Sequence, residues 1–386
     1  MAVRRESLEP ASGCRQLRRV VRRSPVPPLV AAALLALCGC PGPRDDGPIR
    51  IEVKDGSGQG TGAQQAGSTR ELAEREGELA WYTSLPEDGA RVLLDRFKGK
   101  YDFISTRLVR ESTFDIIRRI RGEIDGGKVQ ADVLHVLDVA IFVQLKKGGA
   151  LLAYQSPEAR TIAAQYKDAG GWVALRCVDL CIAYDSARMS AAEAPKYWSD
   201  LLDEKWIGRV AQKDGQTAGS AYAQYYFLRE EYGLSYWQRM ARRQSPRIYK
   251  TADESIEALR RGDVDLVSGA MGYSVWDATQ RGSSIRGVWP EDGVPMMIGP
   301  TAILREAPHP NAAKLFTDFV LSKEGQEALQ SAVGPYSPRP DVHPPQGLPD
   351  LADMPLMAPE AGWDEYAEKQ AALQSEYTRL FHPGSE

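Results

Sequence analysis

The sequence predicts an α/β protein in which helices cover both faces of a mainly parallel sheet. From residue 69 onward, short strand-like apolar runs alternate with amphipathic segments of helical period. Strands that alternate with helices pair in parallel, because the helical connection returns the chain to the same edge. The hydrophobic content of 43% and the charged content of 26% are those of an ordinary soluble domain. No internal repeat is visible.

The first half of this pattern begins with a helix that Gly77 ends. Pro86 suits the first turn of a helix, since its missing N–H would have no partner there. The segments predicted in order are a helix over 69–76, a strand over 78–84, a helix from Pro86, a strand over 104–109, a helix with Phe114, Ile116, Ile117 and Ile120 on its apolar side, and a strand over 132–136.

The pattern resumes after residue 180 and continues almost to the C-terminus. The segments predicted there are a strand over 206–211, a helix over 220–231, a helix over 255–259 leading into a strand over 261–267, an extended segment over 293–304, and helices over 311–321 and 365–380.

The N-terminus has the pattern of an export signal. A basic segment precedes an apolar run of nine residues from Leu29 to Leu37, too short to span a bilayer. Gly39-Cys40 then resembles the lipobox of bacterial lipoproteins, in which the cysteine receives a diacylglycerol. We expect residues 1–39 to be removed, Cys40 to carry the lipid, and the protein to be held at a membrane outside the cytoplasm. An ordinary signal peptide that contains two cysteines is the alternative.

Residues 40–69 are rich in Gly, Pro, Gln and Asp, a composition that favours a flexible tether. The net charge is −4, and loss of the signal, with seven Arg and two Glu, leaves about −9. Such an acidic chain gives no reason to expect nucleic acid as a partner.

Two cysteines, Cys177 and Cys181, remain in the mature chain after Cys40. In a straight strand they would lie about 13 Å apart, too far for a disulfide, whereas a tight hairpin through residues 178–180 would bring them together. For an exported protein we favour the disulfide, then buried thiols, then half of a metal site.

Several short motifs, each weak alone, occur in an order and spacing that resemble a known family. They are Trp81-Tyr82-Thr83-Ser84, Ala131-Asp132-Val133, Gly171-Trp172-Val173, Ile182-Ala183-Tyr184-Asp185, Trp198-Ser199-Asp200-Leu201, Gly262-Asp263-Val264-Asp265, Ser322-Lys323-Glu324-Gly325-Gln326 and Arg339-Pro340-Asp341-Val342. The family is that of the periplasmic solute-binding proteins of ABC importers, and the branch resembled is typified by the ferric-iron-binding proteins.

This resemblance implies a two-lobed periplasmic-binding-protein type II fold, with a ligand cleft between lobes joined by two extended crossings. It also implies a permease and an ATPase as partners, and no cofactor; we expect a monomer. The predicted divisions are 70–183 for the first part of lobe 1 with one crossing, 184–293 for lobe 2, 294–345 for the second crossing and the rest of lobe 1, and 346–386 for C-terminal helices packed on lobe 2. The crossings are expected near 176–183 and 294–302.

Hydroxyl-bearing turns that lead from a strand into a helix are candidate ligand sites, because free backbone N–H groups at a helix N-terminus suit an anion. Thr83 and Ser84 follow the first strand, and Thr217 and Ser220 precede a helix of the second lobe. Helix capping is the alternative for Thr217 and Ser220.

Three further candidates follow the second and third strands. Arg110 could hold a carboxylate or phosphate with two hydrogen bonds, or be a solvated surface arginine, and Ser112 stands beside it. Asp138 could bind a cation or an amino group, or cap the next helix; capping is favoured.

The identity of the ligand depends on tyrosines, since ferric ion prefers phenolate oxygen. Iron-binding relatives have an adjacent tyrosine pair where this chain has only Tyr273, and no histidine is near Thr83 in sequence. The pair Tyr225-Tyr226 lies within a predicted helix, where neighbouring side chains diverge. We therefore expect an organic or phosphorylated anion, with ferric ion as the alternative.

Two other classes of function stay open at this point. An exported enzyme is disfavoured because the four histidines are scattered and no nucleophile, metal or phosphate-loop motif is present. A binding protein that reports to a membrane sensor would have the same sequence features as one that serves an importer.

Overall fold

The computed structural model describes residues 68–215 and 219–383, so the signal, Cys40, the tether and Thr217 lie outside the described residues. The helices are α1 Thr69–Glu76, α2 Glu87–Lys100, α3 Thr113–Asp125, α4 Val139–Lys147, α5 Gly219–Arg239, α6 Ala252–Arg261, α7 Gly272–Gln280, α8 Pro310–Leu321, α9 Lys323–Val333 and α10 Trp363–Phe381. Across the described ranges, no helix is long and apolar enough to cross a membrane.

The strands form one continuous hydrogen-bonded sheet in which β5 is central. They are β1 Glu78–Thr83, β2 Ser105–Arg110, β3 Val133–His135, β4 Lys167–Asp168, β5 Trp172–Asp185, β6 Val210–Lys213, β7 Arg247–Tyr249, β8 Leu266–Met271, β9 Ile285–Val288, β10 Val294–Ile303 and β11 Leu356–Met357. The order is β2-β1-β3-β10-β5-β8-β6-β7, with β4 and β9 on β5 and β11 on β10.

The sheet is mixed and not mainly parallel as predicted: the pairs at its two ends are parallel, whereas β10 and β5 in the middle pair mostly antiparallel. At one end β1 is parallel to β2 and β3, and at the other β6 is parallel to β7 and β8. Between these ends, β5 is antiparallel to β10 over Val173–Asp179 and to β8 over Leu180–Tyr184. β5 thus runs from one half of the molecule into the other, and the crossings predicted near 176–183 and 294–302 fall in β5 and β10.

Local sequence signals explain most helix ends. Ser68 and Glu71 form a capping box at the start of α1, and Gly77, with φ of 66°, ends that helix in the left-handed conformation. Thr251 and Glu254 form the same box on α6, which Gly262 ends with φ of 79°. The bounds of α1 agree with the predicted helix, and α6 contains the predicted 255–259, but α6 continues to Arg261, so the strand predicted from residue 261 begins only at Leu266.

Two other local predictions are wrong. Phe114, predicted to lie on the apolar side of α3, is 67% exposed, because Ile116 and Ile120 alone form the buried face. The strand predicted from Trp206 begins only at Val210, because residues 204–206 form a short 3₁₀ helix that buries the Trp206 ring.

The predicted disulfide between Cys177 and Cys181 is also wrong. Both cysteines are free and buried in β5, which runs without a turn through the segment where the disulfide would need a hairpin. Four residues of extended chain keep the two sulfur atoms apart. Burial raises the pKa of both thiols, so they are inert apolar side chains of the core.

One buried carboxylate joins the first strand to the connection that follows β10. Asp132 is fully buried and accepts hydrogen bonds from the backbone N–H of Ala80 (2.6 Å) and of His309 (2.6 Å). We predict that Asp132→Asn lowers the free energy of unfolding by about 2–3 kcal/mol, because one buried donor loses its acceptor.

Urea denaturation measures this change, with Asp95→Asn on the exposed side of α2 as the matched control. Equal midpoints for Asp132→Asn and Asp95→Asn would contradict the assignment.

Candidate functional site

Thr83 and Ser84, predicted from the sequence, hold neighbouring loops in place at the end of β1. Thr83 is fully buried; its Oγ1 accepts the Leu85 N–H (3.0 Å) and lies 2.8 Å from Nδ1 of His135. Ser84 Oγ accepts the N–H of Leu137 (3.2 Å). The histidine that is absent near Thr83 in sequence is therefore supplied by β3, the parallel neighbour of β1.

Arg110, Ser112 and Asp138 occupy the ends of the next two strands. Arg110 is exposed and donates from Nε to the Leu85 carbonyl (3.1 Å). Ser112 caps α3 by accepting the Asp115 N–H, and Asp138 caps α4 by accepting the Ala140 N–H. Burial raises the pKa of Asp138. In this structure Ser112 and Asp138 serve as caps.

The second half of the molecule contributes the start of α5. Ser220 is buried and its Oγ lies 3.2 Å from Nζ of Lys213, the last residue of β6. Desolvation lowers the pKa of Lys213. This strand end is held by α10, since the Tyr377 hydroxyl donates to the Lys213 carbonyl (3.3 Å).

The start of α5 also meets the first half of the molecule. A Cβ on Gly219 would lie 3.0 Å from the carbonyl oxygen of Leu137, in the loop between β3 and α4. Residues from both halves are therefore in contact around the strand ends, and a ligand held there would touch both.

Arg176, which sequence reasoning missed, is the central residue of the site. It lies on β5, is 2% exposed, and has no hydrogen-bond partner for Nε or Nη1 among the described residues. Its guanidinium carbon lies 6.0 Å from the ring centre of Tyr273. Burial lowers the pKa of Arg176, and nearby Tyr273 opposes this effect. Tyr273 also hydrogen-bonds this guanidinium, but two buried nitrogen atoms without a partner are costly unless an anion accepts from them.

Other buried polar atoms without partners lie around Arg176. Nε2 of His135 and Oγ1 of Thr301 are buried and unpaired within the described ranges, and these two residues face each other across β3 and β10. Burial, followed by the charge of Arg176, holds the pKa of His135 well below its usual value, so the ring is neutral. When the Thr83 hydroxyl donates to Nδ1, the ring proton is on Nε2, which then becomes a donor for an anion.

Gly299 keeps space open between these donors. Gly299 is opposite Arg176 in the register, and a Cβ at this position would lie 3.0 Å from Nε2 of His135 and 3.3 Å from Cγ of Arg176. Any side chain here would occupy volume next to the unpaired groups.

Asp179 is the second charged residue inside β5 and holds the start of α7. Its carboxylate accepts hydrogen bonds from Nε1 of Trp289 and from the N–H of Gly272. A Cβ on Gly272 would overlap that carboxylate, which explains the glycine. Because Tyr273 follows Gly272, Asp179 sets the position of the tyrosine beside Arg176.

The adjacent tyrosines of α5 are packing residues. The Tyr225 hydroxyl donates to Glu376 of α10 (2.7 Å), and the Tyr226 ring packs 4.8 Å from that of Tyr366. Within residues 68–215 and 219–383, no group of three or more His, Cys, Asp and Glu side chains is placed to hold a metal ion.

A sequence signal for Arg176 existed. The segment 172–185 has strand character throughout, and Arg176 and Asp179 are its only charged residues before the terminal Asp185. A charge inside a fully buried strand requires a partner or a ligand. The groups that surround Arg176 depend on which strands lie next to β5, and the sequence alone does not give that order.

The fold and this constellation define a two-lobed solute-binding protein of type II. Residues 130–369, more than half of the chain, match the family of bacterial extracellular solute-binding proteins. The chain belongs to this family. The resemblance to the solute-binding proteins of ABC importers, and to their ferric-binding branch, is thus confirmed.

The curated relatives have low sequence identity to this chain, and only one of the two described next is named for a ligand. A protein of Sinorhizobium fredii, named a probable ABC transporter periplasmic-binding protein, is 26% identical over 224 residues, which are 55% of this chain and 62% of the relative. The major ferric iron-binding protein of Neisseria meningitidis is 23% identical over 214 residues, 53% of this chain and 62% of the relative. The chain thus spans less than two thirds of either relative.

Solved structures share the fold over most of the chain. Iron-bound HitA from Pseudomonas aeruginosa has a TM-score of 0.69 at 21% identity, covering 78% of this chain and 99% of that chain. AfuA from Actinobacillus pleuropneumoniae, with fructose 6-phosphate bound, has a TM-score of 0.70 at 23% identity, covering 80% and 99%. At these identities the likeness shows the fold alone.

The buried carboxyl of Asp179 predicts a pH dependence of stability. Burial raises its pKa from 3.8 to about 6. Between these values the folded chain keeps a proton that the unfolded chain has released, so the free energy of unfolding falls as the pH rises. We expect the stability of the wild type relative to Asp179→Asn to fall by about 3 kcal/mol from about pH 4 to above about pH 6.

Urea denaturation over that pH range tests this, with Asp102→Asn, an exposed turn residue, as the control. A difference between the wild type and Asp179→Asn that stays constant with pH would refute the assignment.

Proposed function

We propose that this protein captures a small organic or phosphorylated anion between its two lobes and delivers it to an ABC importer. The observation that carries the proposal is Arg176, buried at the crossing with two nitrogen atoms that no described residue satisfies. A bound oxyanion would accept charge-assisted hydrogen bonds from this guanidinium, and such bonds are stronger than those between neutral groups.

The remaining groups around Arg176 are those that an anion uses. Nε2 of His135 and Oγ1 of Thr301 are unpaired within the described ranges. Lys213 and the start of α5 would approach from the second lobe, where free N–H groups favour negative charge. The structure of AfuA, which has fructose 6-phosphate bound, supports this class of ligand.

Contacts from both halves couple ligand binding to lobe closure. A ligand that touches Arg176 on β5 and the start of α5 would stabilise the closed arrangement over an open one by its differential affinity. The closed form would be what the permease recognises, and the protein would act as a monomer without enzymatic activity.

Ferric ion is the competing ligand, favoured by the names of the meningococcal relative and of iron-bound HitA. It would use Tyr273. The adjacent positive charge of Arg176 repels a bare cation, so on electrostatic grounds we favour the anion.

Arg176→Met tests the anion site, with Arg339→Met as the matched control. Arg339 is also buried, but its guanidinium pairs with Glu158 (2.9 Å) and Asp341 (2.9 Å). Without ligand, we expect Arg176→Met to raise the free energy of unfolding by about 1–2 kcal/mol, because it removes an uncompensated buried charge. Arg339→Met should lower it by about 2 kcal/mol.

Thermal unfolding with fructose 6-phosphate, inorganic phosphate, citrate or Fe³⁺ then measures binding. An anion at 100 times its Kd stabilises the wild type by about 2.7 kcal/mol. Arg339→Met should retain this gain and Arg176→Met should lose it. A gain from Fe³⁺ alone, abolished by Tyr273→Phe and kept by Arg176→Met, would overturn the anion proposal in favour of iron.

We further propose that Cys40 carries a lipid and that the segment predicted as a tether, 40–69, holds the binding domain beside its transporter. A tether raises the effective concentration of the domain at the importer without a membrane-spanning helix. Fractionation of cells that express Cys40→Ser is expected to move the protein from the membrane to the soluble fraction. Cys38→Ser is the control, and membrane association of Cys40→Ser equal to that of Cys38→Ser would refute the lipid anchor.

A further inference from the structure

Four arginines form an exposed cluster at the far end of α5 that the ligand site does not involve. They are Arg239, Arg242, Arg243 and Arg247, here called the arginine patch. Within the residues that the structure describes, none of their side chains takes part in an ion pair or hydrogen bond. By contrast, the exposed Arg260 and Arg281 of the same half each pair with a carboxylate on their own helix.

The backbone beneath the arginine patch is fixed by buried contacts. Residues 240–244 form a π-helix in which Met240 and Gln244 are buried, and Ser245, with φ of 46°, reverses the chain. The Gln244 side chain donates to the Asp203 carbonyl (3.1 Å), and the Gln244 carbonyl accepts the Gly208 N–H (2.8 Å). The arginines therefore project from a rigid frame.

A large apolar side chain adjoins this frame. Ile207 precedes Gly208 and is 51% exposed. In the described ranges, the other large hydrophobic side chains that are exposed are Phe114 and Tyr197. Basic residues combined with exposed apolar ones are a feature of protein surfaces that bind the interface of a membrane.

The charge near the arginine patch opposes that of the whole chain. The full sequence has a net charge of −4, whereas the exposed acids Asp203 and Glu204, next to Ile207 in sequence, are offset in part by Lys205. Asp265 is already paired with Arg209. A local positive excess on an acidic protein directs this face towards an anionic surface.

From these observations we propose that the arginine patch and Ile207 dock on the anionic headgroups of a phospholipid bilayer. Guanidinium groups suit phosphate because they bind two of its oxygens at once, and a basic cluster near an anionic leaflet gains affinity from each charge. This docking depends on the proposed lipid tether only for keeping the domain close to a membrane, and it is independent of the ligand site.

Vesicle co-sedimentation tests the proposal with residues 41–386, which include every residue that the structure describes and lack the lipidated cysteine. We expect binding to vesicles of phosphatidylcholine with phosphatidylglycerol, and none to phosphatidylcholine alone. At about 0.15 M salt, we expect each arginine to contribute about fivefold to the partition coefficient. Arg242→Gln/Arg243→Gln should therefore lower the partition coefficient about 25-fold. Ile207→Ser should lower it by about fivefold.

The control is Arg260→Gln/Arg281→Gln, which removes the same charge from the same half of the protein. It should change the partition coefficient by less than about threefold. Equal losses in the two double variants would mean that net charge alone acts, and would overturn the proposal. Absence of binding to the anionic vesicles would also overturn it, and would favour an acidic protein as the partner.

Two further measurements distinguish bilayer docking from a soluble phosphate site and from an effect on the ligand site. Displacement from the vesicles by soluble glycerol phosphate would identify a small phosphate site and contradict bilayer docking. Ligand-dependent thermal shifts of Arg242→Gln/Arg243→Gln should match those of the wild type, because the arginine patch is not part of the ligand site.

Discussion

The placement of two charges inside β5 is the constraint on which the rest of this structure depends. β5 runs through both halves of the sheet and all of its residues are buried. Asp179 is satisfied by Trp289 and by the start of α7, whereas Arg176 keeps two nitrogens unpaired among the described residues. β5 thus contains one charged residue, Asp179, whose hydrogen bonds are made, and another, Arg176, with two nitrogen atoms that lack a partner among the described residues. The proposed anion would offset the energetic cost of the second.

The surroundings of Arg176 follow from this arrangement. Gly299 leaves room beside the guanidinium, and neutral His135 contributes no competing positive charge. Thr83, through its hydroxyl, sets the orientation of the histidine ring. Each residue comes from a different strand, so the site exists only when β1, β3, β5 and β10 are assembled. Affinity for a ligand and stability of the folded crossing are therefore linked through the same buried groups.

Most of the longer elements could be read from the sequence, whereas α7, α9 and the short strands β4, β7, β9 and β11 were not predicted. Capping signals such as Ser68 with Glu71, and stop signals such as Gly77 and Gly262, act over a few residues and are visible in a linear chain. The errors arose where tertiary packing decided the outcome: Trp206 is drawn into the core of the second half, and Phe114 is left outside. The expected disulfide failed for the same reason, since pairing with β8 and β10 keeps β5 straight through Cys177 and Cys181.

The sequence by itself determined the α/β class and the family, because these depend on local patterns and on their spacing along the chain. It also brought Thr83, Ser220 and Tyr273 into consideration as residues at strand or helix ends. Only the tertiary structure singled out Arg176 and His135, since neither belongs to a turn or a motif. Whether a buried charge has a partner is a property of the neighbouring strands, and 40 residues of chain lie between this arginine and this histidine.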